Sequence, residues 1–347
     1  MNKWYSICKE EDNIIVASRI QLYRNLDGYS FPVTMPEQEQ KELTKKLLTM
    51  TDMLQELEGM KFEGCKCEEF SDTHIMAIKE RQLIKKNSIN NQWPKGVIVS
   101  EDESVSIEIN GDEHLCIQVS ERGLSLHNCL LRINEIDDAI NKEYSYAFDE
   151  TFGYLTSNVK NLGTGMKVSI VLHLPLLSIS KKWEDIQKQM DKDGMELKEE
   201  LHGEEKKASG LYVLSSKRTL GNSEEDIILQ VMDSCKKLVK AEQEIRSSTK
   251  HSYFDDMAEG VYRAYGILKF ARILSEKECY MYLTKLWLGI KENIISFSEE
   301  ANIYEWMLKI QPCSLQVDMD RPMKEEEIQK ARATYIRKVL TDLKEMI

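Results

Sequence analysis

The chain has 347 residues, and 59 acidic against 47 basic side chains give it a formal net charge of −12. This balance argues against non-specific binding to nucleic acid or to an anionic membrane surface. No apolar run approaches the roughly 18 residues that a membrane span needs, and eight scattered cysteines without an export signal favour reduced thiols in the cytoplasm. The hydrophobic content of 41% predicts a globular protein with one large domain or two ordinary ones.

The first half of the chain alternates between helical and strand patterns. Residues 37–60 place leucine and methionine at three- and four-residue spacing, which predicts an amphipathic helix. Residues 97–119 have a period of two, and they predict antiparallel strands that meet at the pair Asn110 and Gly111. This pair is a strong signal for a hairpin turn in which both positions have positive φ. Further along, the pattern predicts a helix at 129–143, strands at 167–175 and 210–216, and a solvated helix or loop in the charged run 191–207.

The second half is helical. Ser223 and Asp226 form a capping box, and the helix that follows is expected to continue to about residue 245. Residues 247–252 are interpreted as a linker. Helical patterning then covers residues 253–272, residues 275–296 behind a second capping box at Ser275 and Glu278, and residues 324–346. We therefore predict an α+β domain over residues 1–246 and an all-α domain over residues 252–347.

The polar motifs of the chain, taken alone, specify little chemistry. Asp112, Glu113 and His114 follow the predicted turn and form either a catalytic carboxylate cluster or the polar exit of that turn. The glycines of "NLGTGMK" (161–167) precede a strand, so they form neither a Walker loop nor a dinucleotide-binding turn. The C-x-C pair at 65–67 does not have the spacing typical of zinc ligands, and we predict no metal site.

Several longer segments, in this order, carry a resemblance. They include "VASRIQLYRNLDGYSFP" (16–32), "SIEINGDEHLCIQ" (106–118), "YAFDETFGYLTSNVKNLGTGMKVSIVLHLP" (146–175) and "RTLGNSEEDII" (218–228). Together they resemble the ATP:guanido phosphotransferase (phosphagen kinase) family, and most closely its bacterial branch, the protein-arginine kinases. The resemblance implies a phosphagen kinase/glutamine synthetase-like catalytic domain, built on a large antiparallel sheet flanked by helices, and a helical dimerisation domain after it.

The same resemblance implies a reaction. MgATP gives its γ-phosphoryl group to a guanidinium nitrogen, arginines clamp the phosphates, and carboxylates hold and deprotonate the guanidinium. It implies nucleotide-binding roles for Ser18, Arg19, His114, Lys167 and Ser169, and catalytic roles for Glu204 and for Asp112, which replaces a glutamate of the family.

The chain departs from the family pattern at several charged positions. Gln21 and Cys116 replace phosphate-binding arginines, Gly111 replaces a glutamate, Asn158 replaces a cysteine, and Glu199 takes a further arginine position unless a slip of one residue puts Lys198 there. A phosphoarginine pocket of the bacterial branch aligns with Ile328, Gln329, Arg332 and Ala333, where half of the pocket's charged residues are missing.

These losses bear directly on catalysis. Removing one transition-state arginine costs about 10³–10⁵ in rate. Shortening the base at residue 112 withdraws its carboxylate, and a displacement near 1 Å costs roughly 10². The sequence therefore predicts a pseudokinase or a severely impaired phosphotransferase with a regulatory or scaffolding role.

Two alternatives remain open. The first is an active ATP:guanidino phosphotransferase that phosphorylates arginine residues in proteins, with a clamp that recruits Lys198 or Arg24. The second is a nucleotide sensor without turnover. In each case the resemblance implies ATP and Mg²⁺ as cofactors, here with weakened binding, a protein as partner or substrate, and a homodimer.

Overall fold

The computed structural model describes residues 2–7, 14–85, 92–200, 209–252 and 254–344. Its centre is a sheet of eight strands in which each neighbouring pair runs antiparallel. The strands of this sheet are β1 (Ile15–Arg24), β2 (Phe62–Lys66), β3 (Gly96–Ser100), β4 (Val105–Ile109), β5 (Leu115–Arg122), β8 (Met166–His173), β9 (Met195–Glu199) and β10 (Leu211–Ser216), and a separate ribbon consists of β6 (Phe148–Asp149) and β7 (Gly153–Tyr154). Their spatial order is β2-β3-β4-β5-β1-β8-β10-β9.

Helices lie on both faces of the sheet and form the C-terminal part of the chain. Among the described residues they are α1 (Glu37–Leu47), α2 (Met50–Glu58), α3 (Asp72–Glu80), α4 (Leu126–Glu143), α5 (Trp183–Lys192), α6 (Glu224–Ser252), α7 (Phe254–Phe270), α8 (Glu276–Lys291), α9 (Ile303–Lys309), α10 (Pro312–Asp318) and α11 (Glu325–Val339).

One face of the sheet is apolar and forms the main core. Aliphatic side chains recur at every second residue, as at Ile20 and Leu22 of β1 and Ile117 of β5, and these side chains are fully buried. Helices α1, α2, α4, α5 and the first half of α6 cover this face. Each such burial contributes roughly 1.5–3 kcal/mol, so this alternation fixes which way every strand faces.

The opposite face is apolar at its ends and polar between them. At one end Ala17, Val171 and Leu211 pack against the C-terminal helices. At the other end Val97 packs against α3 and the residues that follow it. Between these two apolar patches lies a strip of polar side chains on β1, β5, β8 and β9, which we call the polar strip. Its residues are Arg19, Gln21, Gln118, Ser120, Lys167, Ser169, Glu196 and Lys198.

Helix α3 of the sheet region is joined to α10 of the helical region by one carboxylate. Glu80, the last residue of α3, accepts hydrogen bonds from the backbone nitrogens of Cys313 (3.0 Å) and Ser314 (2.7 Å). These are N–H groups of the first turn of α10, where a negative charge is favourable. Gln311 also donates to the backbone oxygen of Glu80 at 2.8 Å. The two regions are therefore held together beside the polar strip.

The predicted fold class is confirmed, because a large antiparallel sheet is flanked by helices and followed by helices. Both predicted capping boxes are present, at Ser223 and Asp226 and at Ser275 and Glu278. No helix within the described ranges is long and apolar enough to cross a membrane.

Several element predictions were wrong. The helix predicted over residues 37–60 is divided between α1 and α2, and the linker predicted at 247–252 is the helical end of α6. The charged run 191–207 contains strand β9, whose alternating Met195 and Leu197 were outweighed by their charged neighbours. Helices α9 and α10 were missed because each spans only seven residues, too few for a clear helical period.

The hairpin predicted at Asn110 and Gly111 is present between β4 and β5, but the expectation of positive φ at both turn positions was wrong. Strands β4 and β5 are joined by the five residues 110–114, and of the Asn-Gly pair Asn110 has positive φ (51°) while Gly111 does not. The side chain of Asn110 donates to the backbone oxygen of Gln40 (3.0 Å) and to the hydroxyl of Thr44 (2.9 Å). These bonds to α1 hold the loop in a wider conformation than the local sequence favours.

Candidate functional site

Strand pairing brings several predicted site residues onto the polar strip. Arg19 of β1 lies opposite Ser120 of β5 and Ser169 of β8. One row further along, Gln21 lies between Gln118 and Lys167. Because directly paired residues point to the same face of a sheet, the side chains of Arg19, Gln21, Lys167 and Ser169 share one surface.

Ser18 is not part of this surface. It alternates with Arg19 and faces the core side, where it is fully buried. Its hydroxyl donates to the backbone oxygen of Gly123 (2.7 Å) and accepts from the backbone nitrogen of Ser125 (2.9 Å). These bonds hold the chain where it enters α4, so the geometry favours a structural role.

Arg19 is bonded to a carboxylate of its own chain. Its Nη2 donates to Glu200 Oε1 at 3.1 Å and its Nε to Ser120 Oγ at 3.3 Å, and both charged residues are buried. Tyr304 of α9 lies against this pair, and burial followed by the charge of Glu200 raises the pKa of its phenol. The retained arginine therefore has its charge neutralised inside the fold, under cover of the C-terminal helices.

Gln21 belongs to a neutral hydrogen-bond chain. Its Nε2 donates to Gln118 Oε1 (2.8 Å), and its Oε1 accepts from the hydroxyl of Tyr23 (3.1 Å). Gln118 in turn donates to the backbone oxygen of Gln82 at 2.8 Å. Residues 81–85, which follow α3, therefore lie over the edge of the polar strip.

Lys85 ends this segment and was not predicted as a site residue. Its Nζ donates to the hydroxyl of Tyr23 at 2.7 Å and lies 4.4 Å from the centre of the Tyr23 ring. Tyr23 pairs across the strands with Cys116, so the ammonium lies beside the position of a missing arginine. The sequence signal for this placement is the preceding apolar pair, Leu83 and Ile84, which anchors the segment.

Glu108 is a second unpredicted member of the site. It pairs with Cys116 across β4 and β5, and its Oε1 accepts from the backbone nitrogen of Lys85 at 3.2 Å. Burial raises the pKa of Glu108 to about 7, with Asp112 adding to the rise and Lys85 opposing it. A Cβ on Gly111 would lie 3.4 Å from Glu108 Oε2. The carboxylate of Glu108 thus occupies the space beside the position where the family has a glutamate.

Of the two predicted catalytic carboxylates, Asp112 and Glu204, the structure describes only Asp112. Asp112 is buried and lies close enough to Glu108 to raise the pKa of that residue. The structure therefore brings Asp112 and Glu108 together at the end of the polar strip. Glu204 lies outside the described residues.

Glu113 and His114 support the surrounding loops. Glu113 accepts hydrogen bonds from Asn25 Nδ2 (2.6 Å) and from the backbone nitrogens of Ser157 (2.8 Å) and Asn158 (3.2 Å). Asn158 is placed by this contact and by its own side-chain bond to the backbone of residue 160. The polar exit of the loop therefore joins three segments of chain, which favours the structural interpretation of this half of the cluster.

His114 uses both ring nitrogens on the backbone. Its Nδ1 accepts from the backbone nitrogen of Leu26 at 3.0 Å, and its Nε2 lies 3.1 Å from the backbone oxygen of Ser30. Burial lowers the pKa of His114 to about 4, so the ring is neutral and its Nε2 carries the proton that is donated to Ser30. These contacts favour a structural histidine over the predicted nucleotide contact.

The register of β9 favours Lys198 over Glu199 as the residue that faces the site. Lys198 pairs with Val213 of β10, which pairs with Val171 on the face that bears Lys167. Glu199 pairs with Tyr212, on the opposite face. This geometry favours the alternative alignment, in which Lys198 takes the arginine position.

Lys167 and Lys198 share one carboxylate. Glu196 lies 3.8 Å from Lys167 and 2.8 Å from Lys198. The pKa of Lys167 is lowered by burial and further by the charges of Lys85 and Lys198, against the opposing charge of Glu196. The ammonium groups of Lys85 and Lys167 are thus within electrostatic reach of each other.

Arg24 is not available to the site, contrary to the alternative in which it turns toward it. It faces the core side, and its guanidinium binds both carboxylate oxygens of Asp137 at 2.8–3.1 Å. The same group donates to the backbone oxygens of Tyr23 and Thr164, and it lies 3.6 Å from the centre of the Tyr154 ring. A Cβ on Gly165 would lie 2.6 Å from the guanidinium, which explains one glycine of "NLGTG".

The residues aligned with a phosphoarginine pocket are mostly internal. Ile328 and Ala333 are buried, and Gln329 donates to Glu325 on the surface of α11. The side chain of Arg332 is fully buried and donates to the backbone oxygens of Ile310 and Leu274, each at 3.0 Å. Arg332 therefore ties α11 to its neighbours, and these contacts favour a structural role.

The comparisons with known proteins agree with this architecture. The model of "ATP:guanido phosphotransferase, C-terminal catalytic domain" matches residues 34–245, and that of "Protein-arginine kinase McsB C-terminal domain" matches residues 255–346. The chain belongs to the protein-arginine kinase family. The protein-arginine kinase of Clostridium novyi (strain NT) is 31% identical over 335 residues, which are 96% of this chain and 97% of that protein. The one from Pelotomaculum thermopropionicum is 32% identical over 344 residues, 98% of this chain and 96% of that protein.

Solved structures of phosphagen kinases share the fold. A lombricine kinase matches with a TM-score of 0.58 at 19% identity, over 69% of each chain. The duplicated taurocyamine kinase of Schistosoma mansoni with bound transition state analog components matches with a TM-score of 0.61 at 20% identity, over 78% of this chain and 41% of that one. At this identity the likeness establishes the shared fold.

Proposed function

We propose that this protein is a member of the protein-arginine kinase family with severely impaired phosphotransfer, acting as a regulatory or scaffolding partner of other proteins. The observation that carries the proposal is the buried ion pair of Arg19 and Glu200. Phosphoryl transfer depends on cations that neutralise the charge developing on the phosphate oxygens. A triphosphate would have to break this pair before it could use the guanidinium.

The charge balance of the polar strip supports the same proposal. Among the described residues, Arg19 is paired with Glu200, Lys167 and Lys198 lie near Glu196, and Lys85 lies near Glu108, which has Asp112 beside it. Each of these cations has a carboxyl group of the same chain near it, which competes with a triphosphate for its charge. Lysine also lacks the two-pronged geometry with which arginine holds phosphate oxygens.

ATP is the expected ligand, since the family consists of ATP-dependent phosphotransferases. The residues fit phosphate oxygens in part: Lys85, Lys167 and the hydroxyl of Ser169 are suitable donors, while Arg19 is bonded to Glu200. Within the described ranges no three His, Cys, Asp or Glu side chains are grouped so as to hold a metal ion. A magnesium ion would therefore arrive with the phosphates, as is usual for that metal.

The partner in this proposal is a protein with exposed arginines, because the relatives are named as kinases of protein arginine. We include in the proposal the predicted homodimer, formed through the C-terminal helices, and a cytoplasmic location. The predicted domain limits, 1–246 and 252–347, are also kept as a proposal. Trp4 and Tyr5 pack in the same core as the C-terminal helices, so the first residues of the chain would remain with that helical domain.

A phosphotransfer assay tests the proposal. The purified chain is incubated with Mg²⁺, γ-labelled ATP and an arginine-rich protein, and acid-labile phosphoarginine is measured beside the protein-arginine kinase of Clostridium novyi. We expect a rate at least about 10³-fold lower, the cost of one missing transition-state arginine. A rate within tenfold of the relative would refute the proposal.

An active enzyme with relocated charges is the second candidate, favoured by Lys85 beside Cys116 and Glu108 beside Gly111. In that reaction the bond from the γ-phosphorus to the bridging oxygen breaks and a phosphorus–nitrogen bond forms. The guanidinium proton passes to Asp112 or Glu108, and ADP leaves. This candidate predicts a measurable rate that Glu108→Gln and Asp112→Asn each reduce by more than about 10². A rate that neither substitution changes would exclude it.

A further inference from the structure

Two ammonium groups lie on either side of Gln21 on the polar strip. Lys167 is the strand partner of Gln21, and Lys85 reaches it through the hydroxyl of Tyr23, which donates to Gln21 at 3.1 Å. Both lysines are half-buried, and the charge of Lys85 lowers the pKa of Lys167. Such a pair is stabilised by an anion placed between its members.

The groups that surround Lys85 supply little negative charge. Tyr23 and Cys116 are neutral at neutral pH, because burial raises the pKa of the phenol above its usual value and that of the thiol to about 12. Glu108 has a pKa of about 7, raised first by burial, so its negative charge is incomplete at neutral pH. Burial alone would lower the pKa of Lys85, but that pKa stays above its usual value, so Lys85 is a cation at neutral pH.

The acid beside Lys167 is already shared. Glu196 lies closer to Lys198 (2.8 Å) than to Lys167 (3.8 Å). The patch formed by Lys85 and Lys167 therefore has an excess of positive charge at neutral pH. At the other end of the strip the charge of Arg19 is paired with Glu200.

We propose that Lys85 and Lys167 together bind one phosphate group of a phosphate-bearing ligand, with Lys85 supplying from the segment after α3 the charge that Cys116 does not supply from β5. This assignment deepens the proposed function, on which it rests, by naming the ligand class of a protein that does not turn it over. The shared chemistry is a phosphate at the end of a phosphoanhydride, either in a nucleoside diphosphate or in free pyrophosphate.

The chemistry of lysine explains why binding and turnover separate at this site. An ammonium group is a compact point charge that holds a phosphate oxygen well in the ground state. It lacks the planar fork with which arginine contacts two oxygens of a transferring phosphoryl group at once. Two lysines therefore favour the bound ligand without giving extra stability to the transition state.

Calorimetric titration of the full chain with pyrophosphate and with ADP tests the assignment. The test variants are Lys85→Met and Lys167→Met, and the control is Lys188→Met, an exposed lysine of α5. Each test variant should weaken binding of pyrophosphate roughly 10- to 100-fold, as expected for loss of a charged hydrogen bond, while the control leaves it unchanged. Tighter binding of ADP than of pyrophosphate identifies a nucleotide as the ligand, and equal binding identifies the free anhydride, and both results support the assignment.

A rescue variant separates loss of charge from loss of structure. Adding Cys116→Arg to Lys85→Met returns a cation to the same patch and should recover most of the lost affinity, with unchanged thermal unfolding of the free protein. The assignment is wrong if wild type does not bind pyrophosphate or ADP at millimolar concentration, or if Lys85→Met binds them as wild type does. Failure of the proposed function gives a different result, which is phosphoarginine formed at the rate of a relative whatever the titrations show.

Discussion

Tyr23 and Arg24 are consecutive residues of β1, and a cation lies on each of the two faces that they point to, buried on the Arg24 side and half-buried on the Tyr23 side. On the core side the guanidinium of Arg24 is held by Asp137 and by backbone oxygens. On the other side the ammonium of Lys85 donates to the hydroxyl of Tyr23 and lies near Glu108, whose pKa burial raises to about 7. Arg24 is thus compensated by the fold, whereas Lys85, the cation of the proposed phosphate site, has a phenol and a partly protonated carboxyl group beside it.

The loop after β4 repeats this contrast within a few residues. Glu113 and His114, which match the family pattern or nearly so, are fully engaged with backbone groups of other loops. Asp112 and Cys116, where the chain departs from the pattern, are the members near Glu108 and Lys85. In this loop the residues that match the family motif support the fold. The residues that differ from it lie next to the site.

The largest expected effect comes from the compensated cation. Asp137→Ala leaves the guanidinium of Arg24 buried without its carboxylate, which should lower the free energy of unfolding by about 3–5 kcal/mol. Lys85→Met, in contrast, should change it by less than about 1 kcal/mol. Urea unfolding of both variants measures the difference, with the exposed neighbour Asp138→Ala as control. Equal losses for Asp137→Ala and Lys85→Met would remove the distinction between the two cations.

The next effect depends on pH and concerns the acid beside Lys85. The pKa of Glu108 is raised in the folded state from 4.5 to about 7, so its contribution to stability is full below pH 4.5 and is lost as the pH rises through 7. The loss amounts to about 3 kcal/mol, and Glu108→Gln should abolish it. Unfolding of both proteins between pH 5 and pH 8 should therefore show a difference that grows with pH in favour of the variant. A constant difference would mean that Glu108 titrates normally.

A smaller effect is expected where the two regions of the chain meet. Glu80→Gln keeps the size of the side chain but removes the charge that the first turn of α10 receives, and it should lower the free energy of unfolding by about 1 kcal/mol. The control is Glu259→Gln, which removes an exposed ion pair with Arg263. The comparison is made from the thermal midpoints of the two variants, and equal midpoints would show that the cap contributes nothing.

The smallest effect concerns the register of β9. Lys198 faces the polar strip but is largely exposed, so Lys198→Met should weaken pyrophosphate binding by less than about threefold. Glu199→Gln should leave binding unchanged because the side chain points to the other face. If Glu199→Gln strengthens binding more than Lys198→Met weakens it, Glu199 faces the ligand and the register is displaced.

Much of the fold could be predicted from the sequence because period and burial are local properties. The alternation along β4, β5 and β8 can be recognised within each strand, and each capping box can be recognised from residues only three positions apart. The five-residue loop at 110–114 could not be predicted, because its conformation depends on contacts of Asn110 with α1. Strand β9 was missed because its charged residues are compatible equally with a solvated surface.

The site could be predicted only where a residue lies on the strand that carries the pattern. Arg19, Lys167 and Ser169 were predicted from their positions in the family motifs, and strand pairing places them on one surface. Lys85 and Glu108 were missed because their nearness to Cys116 and Gly111 arises from the path of the chain after α3 and from strand pairing. The substitutions at the motifs therefore show only part of how this site differs from the family pattern. The other part comes from side chains such as Lys85 and Glu108, which reach the site from other segments of the chain.

The hydrogen bonds of Glu80 have a mechanical consequence. Glu80 ends α3, and Lys85 comes five residues later, so the N-terminus of α10 and the ammonium group on the polar strip are connected by a short, partly buried length of backbone. A protein that docks on the C-terminal helices and shifts α10 must carry this segment with it. Binding of a protein to the helical region would then move Lys85 and change the affinity of the polar strip for phosphate.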